Sequence, residues 1–245
     1  MQVSAGDFNI VQFKSLIEQS PTEGNGWRLK YEGQVDGDHQ DSTMKVYKKY
    51  FEDSSDPIDR IDTVLKGVDL DNLALILKDI SYRKKGKWAP KQIKVIEKKS
   101  SNSDVIYLEL GLPAKLGNRE LVQKRLFLGN EEDPELVRRL GLFDWKHRYY
   151  VILVESTERE EYPIKSSHVR GLTKMNYILL EEDPEDKRVV KVKFLICQNL
   201  YLDLPQETLL WIDEKVPQMV VADLLNCHAK YFGKADDENV EISEI

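Results

Sequence analysis

The sequence predicts an α+β fold, with one long antiparallel sheet closed by an amphipathic helix at its C-terminal end. Three observations predict it. Strand-like runs rich in Val, Ile, Leu and Tyr recur from Trp27 to Leu200, divided by short polar turns such as SSNSD and EEDPED. A single strongly helical segment interrupts them, with Leu70, Leu73, Leu77 and Ile80 on one face. From Pro205 onward the period becomes helical, Leu209, Ile212, Val216, Val220, Leu224, Cys227 and Tyr231 recurring every three or four residues.

The elements follow in order. Asp7 reads as the N-cap of a first helix carrying Phe8, Val11, Leu16 and Ile17, which stops at Ser20-Pro21. Strands are expected at Trp27 to Val35, Met44 to Phe51 and Ile58 to Val68. Asp69 caps the next helix. After the basic turn YRKKGKW (Tyr82 to Trp88) come strands at Gln92 to Lys98, Val105 to Leu110, Glu120 to Leu128, His147 to Ser156, Val169 to Leu180 and Val189 to Leu200. The connection Gly129 to Lys146 is far longer than a hairpin needs and holds a short helix, Pro134 to Leu140. Pro217 is expected to break the C-terminal helix and restart it, as its first residue. Residues 1–234 read as one domain, 129–146 as an insertion and 235–245 as an acidic tail.

Composition excludes several classes. Of 245 residues, 32% are charged and 41% hydrophobic, with a net charge of −7, and the mean hydropathy is −0.50. The longest apolar run, Tyr149 to Val154, is far short of the ~18 residues a membrane helix needs. An acidic total argues against a nucleic-acid partner, because phosphate contacts are made by clustered Lys and Arg. Cys197 and Cys227 make no disulfide framework, and each lies among apolar residues as a structural thiol does. Walker, GxGxxG, HExxH and GxSxG motifs are absent, and His39, His147, His168 and His228 stand far apart. Nothing calls for a cofactor, a metal or a catalytic step.

The segment NRELVQKR (Asn118 to Arg125) resembles the arginine–acid motif of the START lipid-transfer domains. Its surroundings agree in order: YRKKGKW and KQIKVIEKK upstream, then YYVILVEST, Tyr162-Pro163, HVRG (His168 to Gly171) and LPQETLLWIDEKVPQMVVADLLNCHAKYF downstream. The resemblance runs from about Phe8 to Gly233 and is closest to the phosphatidylcholine-transfer branch. It implies a helix-grip fold, in which a curved antiparallel sheet wraps a long C-terminal helix around an internal lipid cavity. It implies in turn a cytoplasmic monomer, peripheral to membranes, that encloses one phospholipid and exchanges it at a membrane surface. A lipid-sensing interaction module is the alternative use of the same fold.

The resemblance assigns roles residue by residue. The cavity would be walled by Val105, Ile106, Leu108, Leu110, Leu121, Val122, Val151, Leu153, Ile178, Leu180, Val192, Phe194 and Ile196, with Ile212, Val216, Met219, Val220 and Leu224 from the last helix. Packing as an ordinary core accounts for the same pattern. Arg83 or Lys85 matches the arginine that holds the lipid phosphate, and a solvated basic loop is the plain alternative. Leu108, Leu121 and Lys174 stand where the branch places three aromatic rings around choline. None is aromatic, which argues against phosphatidylcholine selectivity and toward a less demanding or more anionic head group, or toward broad specificity. Asn176 is placed to donate to such a group. Glu109 and Arg125, on neighbouring strands, form either a ligand-contacting pair or a structural one. Residues 113–118, 157–168 and the last helix would make the gate. The insertion's Leu136, Leu140, Leu142, Phe143 and Trp145, beside Arg138, Arg139 and Lys146, suit a membrane interface or packing outside the sheet.

Overall fold

In a computed structural model of the chain, residues 8–35, 41–51, 54–84, 89–112, 116–139, 141 and 147–233 are described. Helix α1 (Ile10–Glu18) is followed by strands β1 (Trp27–Gln34), β2 (Thr43–Phe51) and β3 (Ser54–Lys66). Helices α2 (Leu70–Lys78) and α3 (Ile80–Arg83) lead to β4 (Gln92–Lys98), β5 (Ser103–Leu110) and β6 (Asn118–Gly129). Short α4 (Pro134–Arg139) precedes β7 (Tyr149–Ser156), β8 (His168–Arg170), β9 (Leu172–Glu182), β10 (Val189–Asn199) and α5 (Gln206–Phe232). The strands form one curved sheet in the order β1-β2-β3-β10-β9-β7-β6-β5-β4. Neighbours along that path are antiparallel, and β8 pairs in parallel with the first residues of β6.

Three expectations need correction. The α1 cap is Asn9, whose Oδ1 accepts from the Gln12 amide at 3.2 Å, while Asp7 lies outside the described residues. The run 169–180 is two strands, divided at Gly171. A Cβ there would come within 2.8 Å of Leu121 Cδ2 and 3.0 Å of Leu200 Cδ2, so any larger residue would have to push these side chains aside. Finally, α5 runs unbroken through Pro217. Proline removes the backbone donor to the Asp213 carbonyl, and one turn on Gln218 Nε2 adds a side-chain bond to the Glu214 carbonyl at 3.0 Å. Tertiary packing on both sides of Pro217 holds the helix together. Asp69 does cap α2, its carboxylate accepting from the Asn72 amide at 3.0 Å.

The two sheet faces bury different partners. On the outer face α1 packs Phe13, Leu16 and Ile17 onto Tyr149, Leu153, Tyr177 and Leu195, with Phe13 edge-on to Tyr177 at 5.3 Å. On the inner face α2 and the C-terminal half of α5 bury Leu70, Leu73, Val221, Leu224 and Leu225 against Ile61, Phe127, Ile152, Ile178 and Phe194. Each such side chain contributes about 1.5–3 kcal/mol when fully buried. Tyr82 of α3 meets Tyr231 of α5 edge-on at 4.9 Å. His228 Nε2 accepts from the Asp69 amide at 3.3 Å. The described part of the 129–146 insertion packs outside, Val137 and Leu136 joining the α1 cluster.

Candidate functional site

Residues directly opposite across a sheet share a face, so the register reads the inner face in rows. One row is apolar: Val46, Ile61, Phe194, Ile178, Ile152 and Phe127. The next is Lys48, Asp59, Ile196, Asn176, Val154, Arg125 and Asp104. Beyond it, past a bulge between Cys197 and Gln198, come Gln198 and Thr173, with Ser156, Gln123 and Ile106 on the far strands. Two consecutive rows of polar groups therefore cross the middle of a face that is apolar to either side. Burying such groups is costly unless they are paired, and many are. Arg125, only 2% exposed, sets its fork on Asp104 at 2.8 and 2.7 Å. Lys48 Nζ reaches Asp213 of α5 at 2.6 Å and Asp59 at 3.3 Å. Gln123 Nε2 donates to Thr173 Oγ1 at 2.7 Å. Burial pushes the Asp59 carboxyl above its ordinary range, against the pull of Lys48. Burial alone would lower Lys48, but Asp59 and Asp213 overcome it and the ammonium is raised.

Arg83 lies close enough to Arg125 of this belt for their charges to interact. It is the last residue of α3, a turn capped by Asp79, whose Oδ1 accepts from the Ser81 amide at 2.8 Å. Its guanidinium is lowered to about 10, by burial first and by the neighbouring charge of Arg125 second. Yet the side chain keeps accessible surface. No carboxylate pairs with it among the described residues. Two recesses of about 190 Å³ each open between the α2–α3 segment and the sheet. Arg125, Asp104 and Ser103 border one, Tyr150 and Asp71 the other, and Lys78 above the Phe127 ring (5.6 Å) borders both. Each is smaller than the roughly 300–1,000 Å³ of an ordinary ligand pocket.

The other expected site residues separate. Lys85 lies outside the described residues. Leu108 and Leu121 face each other on the inner side, buried with Ile93 and Ile106 beneath Ile80 and Leu200. Glu109 and Arg125 do not pair. Glu109 is opposite Glu120 on the outer face, where it bonds Lys165 at 2.7 Å and His168 at 3.2 Å. Val105, Val122, Val151 and Leu153 are likewise outer-face residues. Lys174 sits at the β9 bulge and holds Asp56 at 2.8 Å. Asn176 is on the inner face, half-buried. On α5, Ile212, Val216, Met219 and Val220 form a partly exposed apolar stripe, and Leu224 is buried in the core. The sequence reading missed Asp104, Lys48, Asp59 and Asp213. Counting outward from the Leu110–Arg119 pair of the β5–β6 hairpin finds the first.

Of the expected gate, residues 113–115 lie outside the described residues. The 157–168 loop is fastened to the outer face. Arg170 Nη2 donates to the fully buried Glu120 at 2.9 Å and to the Tyr162 carbonyl at 2.8 Å. Among the described residues no His, Cys, Asp or Glu cluster is arranged to hold a metal, and no helix is long and apolar enough to cross a membrane.

No protein-family model matches the chain. Over 235 residues it is 23% identical to the phosphatidylcholine transfer protein of Bos taurus, covering 94% of this chain and 99% of that one. The crystal structure of human STARD10 superposes with a TM-score of 0.68 at 20% identity, over 94% of this chain and 82% of the other. Human StAR-related lipid transfer protein 5 gives 0.69 at 13% identity, over 91% and 94%. The chain thus has the fold of the START domains and is similar in sequence to a phosphatidylcholine transfer protein.

Proposed function

We propose that the protein encloses one phospholipid between the inner sheet face and α5, and exchanges it at membranes without chemical change. The observation that carries this is Arg83, a guanidinium close enough to Arg125 for the two charges to repel, with no carboxylate matched to it among the described residues. A phosphate diester supplies the missing charge through a charge-assisted hydrogen bond. The names of the phosphatidylcholine transfer protein and of the lipid transfer protein matched in fold support the reading. So does the apolar stripe of Ile212, Val216, Met219 and Val220, which suits acyl chains. Taking two long chains out of a bilayer costs about 0.8 kcal/mol per CH₂, of order 25 kcal/mol, and only an apolar enclosure offsets it. The recesses of about 190 Å³ are too small for this cargo. Loading therefore needs α5 or the α2–α3 segment to move away from the sheet.

In the test, the purified chain is incubated with phospholipid vesicles, re-isolated and weighed by native mass spectrometry. One lipid per chain is expected, together with faster vesicle-to-vesicle transfer. Arg83→Ala should lower phospholipid occupancy about tenfold or more, the loss of one charge-assisted bond. Absence of bound lipid and of transfer for all the phospholipids offered would reject the proposal.

A further inference from the structure

The charges around the belt say which phospholipids fit. We infer that the cargo's head group is anionic, carries hydroxyls and has no ammonium. This inference rests on the phospholipid reading above and deepens it. An ammonium taken from water needs either a free carboxylate or an aromatic cage, and among the described residues the polar belt offers neither. Asp104 is committed to Arg125, and Asp59 to Lys48. Glu109, the acid nearest in sequence, faces the opposite side. Among inner-face aromatics, Phe127 already lies beneath two cations, Lys78 at 5.6 Å and Arg125 at 4.9 Å. An ammonium placed here would also be repelled by the uncompensated Arg83.

What the belt does offer is neutral hydrogen-bonding capacity. Asn176 lies mid-row between Ile196 and Val154, half-buried, and its amide makes no hydrogen bond among the described residues. It presents both donors and an acceptor. Hydroxyls of a glycerol or inositol group satisfy an amide in both directions, whereas a trimethylammonium satisfies neither. The neighbouring Gln123–Thr173 pair extends the same surface.

The experiment uses the full chain and vesicles holding equal amounts of phosphatidylcholine, phosphatidylethanolamine, phosphatidylglycerol, phosphatidylinositol and phosphatidic acid with identical acyl chains. Mixing them in one vesicle gives every lipid the same surface charge. After re-isolation, native mass spectrometry is expected to find phosphatidylglycerol and phosphatidylinositol at least about tenfold above the two zwitterionic lipids. Asn176→Ala should reduce the two hydroxylated lipids several-fold and leave phosphatidic acid unchanged, with an unaltered melting temperature reporting an intact fold. Equal or preferred loading of phosphatidylcholine or phosphatidylethanolamine overturns this inference and leaves the phospholipid reading standing. An equal loss of phosphatidic acid in Asn176→Ala overturns the hydroxyl contact. No loading of any of the five overturns both readings.

Discussion

Asp104 and Arg125 show how much one position decides on the inner face. Arg125 is almost wholly enclosed, so removing its carboxylate leaves a buried charge without a partner, which costs about 3 kcal/mol or more. Asp104→Ala should therefore lower the urea midpoint strongly, while Asp104→Leu combined with Arg125→Leu should regain most of the loss. Glu109 has a separate role on the outer face. Hydrogen bonds from Lys165 first, and from His168 second, hold its carboxyl below the ordinary glutamate range. Its contribution is in place above about pH 4.3 and is lost as pH falls through the lowered native value. Protection factors of the amides in residues 157–168, corrected for the intrinsic pH dependence of exchange, should fall over that acid window, and Glu109→Gln should remove that change. The sequence named both Glu109 and Arg125 but matched them to each other. Asp104 and Glu109 are five positions apart on one strand, an odd number, so they face opposite ways. Composition near the motif could not show that, because the answer lies in the hairpin register.

The elements were the more legible scale. The cap placed the start of α2 at Asp69, but the helix ends at Lys78 and buries Ile76, and Ile80, expected on the same stripe, opens α3; alternation located most strands to within a few residues. Two kinds of feature were hidden. Bulges such as the one at Cys197/Gln198 change which residues face inward beyond them, and no local pattern announces them. Pro217 reads locally as a stop, yet Lys48 gripping Asp213 on one side and the Val221–Leu225 packing on the other carry α5 across it. Proline inside a helix is about 3 kcal/mol less favourable than alanine, partly offset here by its buried ring. Pro217→Ala should raise stability by about 1 kcal/mol, read as a higher urea midpoint. If α5 swings when lipid enters, the stiffer helix should also exchange lipid more slowly in a vesicle transfer assay.

At the scale of the molecule, a bound cargo and the fold support each other. A ligand that binds only the native state adds about 2.7 kcal/mol of stability at a hundredfold excess over its dissociation constant. Lipid-loaded protein should accordingly melt several degrees above protein stripped of lipid, as calorimetry will show. The sheet order has a consequence of another kind. β3 pairs with β10, from Lys66↔Val189 to Asp59↔Ile196, so residues 67–188 lie between the partners. Closing a loop of that length costs about 4 kcal/mol of chain entropy. The β1–β3 meander can form early, but one edge of it stays unpaired until β10 arrives, which makes this seam the slow step of refolding. An unpaired edge accepts any matching strand. When refolding chains are concentrated, the β10 of a second copy reaches β3 before the chain's own does. Dilution then favours the monomer, and crowding the strand-exchanged pair.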